Sequence, residues 1–231
     1  MKLAIMQPYL FPYVGYYQLV NAADRFVVYD DVNFINRGWI NRNNILINGK
    51  ASLFSVPLKK ASQNKLICEI QLGEDPWRPE LLKKIELAYK KAPHYNNIFP
   101  MVVDIISGGH THIAGLALSG LTTISAYLGF TTVFVNSSSV YNNRDINAQY
   151  RILDICRQEN AATYINPIGG TEIYSKELFG EAGIKLQFLR TGNVAYRQYA
   201  NDFVPNLSIL DLLMFNSKEE IKLVMDNYEL I

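Results

Sequence analysis

The chain has 231 residues, 49% of them hydrophobic, and a formal net charge of +1. That length suits one domain spanning 1–231, with ample apolar material for a core. Balanced charge excludes bulk electrostatic attraction to nucleic acid or to an anionic membrane, and no apolar run is long enough to cross a bilayer.

The elements read in order as follows. Lys2 to Met6 is a short buried strand that Pro8 stops, and Met1 to Met6 is too short for a secretory apolar region. A cytoplasmic location without membrane insertion is therefore expected. Pro12 to Asn21 forms a helix with proline in its first turn. Arg25 to Tyr29 is a second strand, rich in β-branched and aromatic residues. Asn48-Gly49 is a strong hairpin signal between two apolar runs, Asn44 to Ile47 and Ala51 to Val56. Ile67 to Leu72 adds a strand. Pro79 to Lys91 and His112 to Leu128 are helices, the second closed by Gly129.

Thr131 to Val135 is a buried strand, and Asp145 caps a helix running to about Glu159. Thr163 to Ile165 is a strand, Thr171 to Ala182 a helix and Lys185 to Leu189 another strand. Ser217 and Glu220 have the spacing of a capping box for the last helix. Strand and helix alternate from Thr131 onward. The fold class is α/β: a mostly parallel sheet flanked by helices, with an inserted β-hairpin.

Two polar, aromatic-flanked segments stand where chemistry belongs, just beyond the carboxyl ends of strands. The first runs from Gln7 to Tyr17. Gln7, Tyr9, Tyr13 and Tyr16 are candidate substrate contacts, and Gly15 permits close approach of a ligand or backbone. The plain alternative is that these tyrosines cover the core. The second runs from Tyr29 to Asn43. Asp30 and Asp31 are candidate catalytic carboxylates. Neighbours in an extended chain point oppositely, so one can face a site while the other caps or pairs with Arg37. Arg37 and Arg42 suit a carboxylate or phosphate. Asn41 and Asn43 add amides, and Trp39 offers a ring for stacking. Lys59 extends this anion site. A third candidate is Gly169-Gly170-Thr171, where backbone N–H groups at a helix start could meet an anion.

Cys68 and Cys156 lie in apolar patterns and read as buried thiols of a reducing compartment. His110 and His112 have no cysteine or carboxylate close in sequence, so no metal site is expected. Nothing in the chain names a cofactor.

Pro12-Tyr13-Val14-Gly15-Tyr16, with its proline one position nearer the first aromatic, loosely resembles the Pro-x-His-x-Gly-His frame of the nucleotidyltransferase and class I synthetase-like fold. Tyrosines replace both histidines, and a neutral phenol offers only an ordinary hydrogen bond. A longer resemblance is to the WbqC-like family of bacterial proteins. It rests on Gln7-Pro8-Tyr9-x-Phe11-Pro12-Tyr13-x-Gly15-Tyr16, on Phe26-Val27-x-Tyr29-Asp30-Asp31-Val32 and on Arg37 to Asn43. Tyr164-Ile-x-Pro-x-Gly-Gly and Ser208-Ile-x-Asp211-Leu-Leu extend it downstream.

The resemblance implies a setting in O-antigen and other surface-polysaccharide synthesis. The expectation is a transferase acting on a nucleotide-linked amino sugar. The alternatives are an ATP-dependent ligase or a non-catalytic binding protein of polysaccharide assembly. The expected partner is a small molecule, such as a nucleotide sugar.

Overall fold

The computed structural model describes residues 1–199 and 202–231. The chain opens with β1 (Lys2–Met6), α1 (Val14–Ala22) and β2 (Arg25–Val28). Two small antiparallel pairs follow, β3 (Arg42–Ile47) with β4 (Lys50–Ser55), then β5 (Leu58–Lys59) with β6 (Gln71–Leu72). Next come α2 (Trp77–Tyr89), α3 (Tyr95–Ser107), α4 (Ile113–Leu128) and β7 (Val133–Val135). The remainder is α5 (Ala148–Gln158), β8 (Thr163–Pro167), α6 (Lys176–Glu181), β9 (Lys185–Thr191), α7 (Ile209–Phe215), α8 (Lys218–Asp226) and β10 (Tyr228–Leu230).

The six-stranded sheet has the order β10-β9-β8-β1-β2-β7. All its pairings are parallel except β9 with β10. The chain moves outward from β1 to β2 and β7, then returns to the other flank of β1 with β8. That reversal is the place where open α/β sheets bind ligands, beyond the carboxyl ends of the strands.

Side-chain alternation divides the apolar residues between the two faces. Ala4, Phe26, Val28, Ile165 and Leu189 face a core shared with α1, α2, α3, α4, α7 and α8. Leu3, Ile5, Val27, Tyr164, Leu186 and Phe188 face a second core with Ile152 and Ile155 of α5 and Phe179 of α6. The chain is thus a mostly parallel sheet between helices, with the β3–β4 hairpin inserted after β2.

Local signals explain most element ends. Asn48 and Gly49 both have positive φ, 51° and 72°, as a tight two-residue hairpin turn requires. Gly129 ends α4 in the left-handed conformation, with φ of 78° and ψ of 24°. Ser217 and Glu220 form the reciprocal capping box of α8.

Several expectations need correction. Thr131 to Val135 is the three-residue strand β7, and it is not buried: it lies at the edge of the sheet, with Val133 54% exposed. Cys68 is only partly buried, unlike Cys156. Ile67 to Leu72 is a 3₁₀ turn over Ile67–Glu69 and then the two-residue strand β6. The helix expected from Asp145 begins at Ala148, because Asn143 to Ile146 closes its own turn and the Asn143 side chain is drawn inward to Arg151 and Asp154. The helix expected from Thr171 begins at Lys176, where Ser175 Oγ accepts from Leu178 N. Helix α3, with Pro100 inside it, is not foreseen from the sequence.

Candidate functional site

The loop leaving β1 is held by long-range hydrogen bonds. Leu10 N donates to Ile40 O at 3.0 Å. Phe11 is fully buried with φ of 46°, a left-handed conformation rare for a bulky residue. Its carbonyl accepts from Asn43 Nδ2 at 2.8 Å and from Ser208 Oγ at 2.7 Å. Pro12 O accepts from Ile209 N, and Asn44 O accepts from Ser208 N, each at 2.8 Å. Three segments distant in sequence, around residues 9–13, 39–44 and 206–209, are thereby joined edge to edge.

Their free faces enclose a hollow of about 410 Å³, lined by Tyr9, Tyr13, Trp39, Asn43, Asn44 and Asn206. Tyr13 and Trp39 remain 39% and 45% exposed, so their rings are open to a ligand. Arg42 lies beneath Trp39, its guanidinium carbon 5.5 Å from the ring centroid. Its Nε donates to Gly38 O at 2.9 Å and its Nη2 to Arg37 O.

Tyr13 and Asn206 also border a second hollow of about 320 Å³, beside Gly15, Thr191, Val194, Tyr196 and Phe203. A Cβ on Gly15 would stand 2.7 Å from both Thr191 Oγ1 and the Tyr13 ring. Only a bare backbone lets that ring lie back on α1. Among the described residues, no charged side chain lines either hollow.

Of the sequence candidates, Tyr9, Tyr13, Trp39 and Asn43 therefore meet in one place. The others do not. Tyr16 is 1% exposed and its hydroxyl donates to Gln7 O at 2.7 Å, so it braces the loop from inside the core. Gln7 stays half-buried at the end of β1. Asn41 Nδ2 donates to Val56 O at 2.7 Å and ties down the end of β4. Arg37 is exposed at a left-handed turn position with φ of 60°.

Lys59 lies 3.5 Å from Glu74 and borders a separate depression with Arg78 and His110. Gly169, Gly170 and Thr171 sit on a 3₁₀ turn rather than at a helix start. There any side chain on Gly170 would run into Asn166 Oδ1.

Asp30 and Asp31 are each 5% exposed and line neither hollow. Asp31 pairs with Arg151, not Arg37: Arg151 Nη2 stands 2.6 Å from both carboxylate oxygens, and Ser138 Oγ donates to Oδ1. Arg151 in turn donates from Nε to Asn143 Oδ1 at 2.9 Å and lies 4.8 Å from the Tyr29 ring centroid. Asp30 accepts from Ser137 Oγ at 2.7 Å and from Ser138 N at 3.2 Å. Burial raises its carboxyl pKa, against the lowering effect of those bonds.

The sequence pattern of the WbqC-like protein family matches residues 7–223. The chain belongs to that family. It is also similar to the uncharacterized protein Rv1507c of Mycobacterium tuberculosis (strain ATCC 25618 / H37Rv), with 30% identity over 215 residues, 92% of each chain. No solved structure matches. Within this WbqC-like chain, no helix of the described residues is long and apolar enough to cross a membrane.

Several residues of the site escape sequence reasoning. Asn44, Asn206, the stretch from Thr191 to Val194, Tyr196 and Phe203 carry no local signal. Asp211, in α7, is another. It is fully buried, accepts from Tyr89 Oη at 3.0 Å and Gln198 Nε2 at 2.8 Å, and faces the Tyr196 phenol at the second hollow. Gln198 also pairs with both backbone groups of Val204, so Asp211 anchors the segment that walls this hollow.

Two outcomes follow from these buried carboxylates. Asp31→Leu alone strands the Arg151 charge and should cost about 3–5 kcal/mol in urea unfolding, whereas Asp31→Leu with Arg151→Met should recover most of that loss. A single variant as stable as wild type would show that the pair is not a buried ion pair in solution.

Burial pushes the Asp211 carboxyl up to about 6, although Tyr89, Gln198 and Tyr196 donate toward it. The folded state then holds its proton more tightly than the unfolded chain. This contribution is complete below the ordinary 3.8 and lost as pH rises through 6. Between pH 4 and pH 7 wild type should lose up to ~3 kcal/mol relative to Asp211→Asn. Parallel urea-stability profiles for the two proteins would refute this.

Proposed function

We propose that this WbqC-like protein is a transferase of surface-polysaccharide synthesis that acts on a nucleotide-linked sugar. The observation that carries the reading is the meeting of Tyr9, Tyr13 and Trp39 with three asparagine amides around one hollow of about 410 Å³. A sugar ring presents apolar C–H faces and hydroxyl edges. Aromatic faces suit the former, and carboxamides, which both donate and accept, suit the latter. An uncharged lining favours a neutral ring over a bare anion. Arg42, packed on the Trp39 ring, places a cation beside this lining for a diphosphate.

The setting in polysaccharide synthesis comes from the family resemblance. The buried, internally paired Asp30 and Asp31 do not support the role of base first expected of them, and in this reading they brace the sheet edge.

A second reading, an ATP-using ligase, is favoured by one observation. Counted along the chain, the parallel strands are ordered 3-2-1-4-5, as in doubly wound nucleotide-binding folds. The start of α1 also borders the second hollow through Val14 and Gly15. The neutral Tyr13 and Tyr16 count against it, because transfer of a phosphoryl group calls for charge stabilisation.

Calorimetry of the full chain with uridine, thymidine and guanosine diphosphate sugars tests the first reading. Binding is expected for at least one sugar class, weakened about ten-fold by Trp39→Ala, a loss of ~1.4 kcal/mol for one stacked ring. No binding to natively folded protein would end this reading. Pyrophosphate release from ATP in the presence of carboxylic acids would replace it with the second.

A further inference from the structure

The hollow beside Gly15 and Thr191 adjoins the sugar hollow, and the two have Tyr13 and Asn206 in common. Its volume of about 320 Å³ holds a body of roughly ten water-sized groups. Val14, Val194, Phe203 and Leu207 give it apolar walls, and Tyr196 and Phe203 meet edge to face with centroids 5.1 Å apart. Thr191, Asn193 and Asn206 supply a hydroxyl and two amides, enough to receive one carbonyl. Neither an anion nor a cation would find a side-chain counter-charge among the described lining residues. A group with an aliphatic body and one polar, uncharged end matches this lining.

We propose that this hollow is a second ligand chamber that takes a short aliphatic acyl group, next to the sugar chamber and divided from it by Tyr13 and Asn206. The identity of the neighbouring ligand rests on the transferase reading; the chamber itself does not. Ligands in the two hollows would lie side by side against Tyr13 and Asn206. The missing side chain of Gly15 lets the Tyr13 ring settle against α1, and Asn206 holds a left-handed φ of 59° in the segment before α7.

The test is saturation-transfer NMR on the full chain with pentanamide as probe. Val194→Trp puts an indole into the chamber, and Phe203→Ala removes part of its wall without filling it. Pentanamide should bind wild type and Trp39→Ala alike, and bind both chamber variants about ten-fold more weakly. Thermal unfolding of each variant confirms that it is folded. Absent pentanamide binding in wild type, or unchanged binding in both folded chamber variants, would overturn the proposal. If pentanamide binds in a Val194→Trp-sensitive manner and no nucleotide sugar binds, the chamber stands and the transferase reading falls. If a nucleotide sugar binds and pentanamide does not, the chamber alone falls.

Discussion

Phe11 sits in the left-handed region with its ring in the core and its carbonyl between Asn43 Nδ2 and Ser208 Oγ. A bulky residue in that conformation carries a strain of about 1–3 kcal/mol and persists only where its surroundings over-determine it. Here three effects do so. The ring is fully buried, which for a phenylalanine contributes roughly 1.5–3 kcal/mol. The carbonyl has two side-chain donors, and stranding it in the interior would cost about 1–3 kcal/mol. Flanking backbone bonds from Leu10 to Ile40 and from Ile209 to Pro12 fix the chain on either side. The same atoms that hold this conformation also join the three walls of the hollow. Geometry at Tyr9, Tyr13, Trp39 and Asn206 therefore depends on a backbone constraint that none of their side chains makes.

Charge is managed elsewhere. Asp31 and Arg151 link the end of β2 to α5 on the opposite face of the sheet from Phe11, with Asn143 and Ser138 completing the bonds. A buried ion pair contributes little net stability compared with an apolar pair of the same volume, but removing one partner is costly. Its effect here is positional. It fixes α5 against the strand end and pairs two charges that line neither hollow. Asp211 behaves differently. Its partners are neutral donors, so burial dominates and favours the protonated form. Gln198 bonds that group and, through it, Val204 is tied to α7.

The sheet was legible because alternation and turn chemistry are local. Leu3 and Ile5 separate from Ala4, Val27 separates from Phe26 and Val28, and Asn48-Gly49 and Gly129 end their elements as their conformational freedom dictates. The site was legible only by composition. Tyr13 and Tyr16 look equivalent in sequence, yet they are three residues apart at a helix start and end at 39% and 1% exposure. Asn41 and Asn43 both read as free amides, and both bond to backbone carbonyls, Val56 and Phe11. A polar side chain that satisfies a distant backbone group has the same one-dimensional signature as one that waits for a ligand. Arg151, 120 positions from Asp31, and Asn206, distant from every other wall of its hollow, show the same limit.

A hollow bordered by rings and amides, with the Arg42 guanidinium beside Trp39 already bonded to carbonyls of its own turn, is suited to recognition by shape and hydrogen-bond pattern more than by attraction at a distance. Discrimination then comes from the penalty on the wrong ligand. Asn43 is 4% exposed and its Nδ2 is committed to Phe11 and its Oδ1 to the Asn44 N–H, so it cannot turn to suit a different guest. Where a wall group does bond a guest hydroxyl, an analogue lacking that hydroxyl is rejected more strongly than apolar walls reject an extra methylene, because the unmatched polar group is left without a partner. The strained loop at Phe11 is what keeps Asn43 from adjusting, and the shape of the hollow rests on that rigidity.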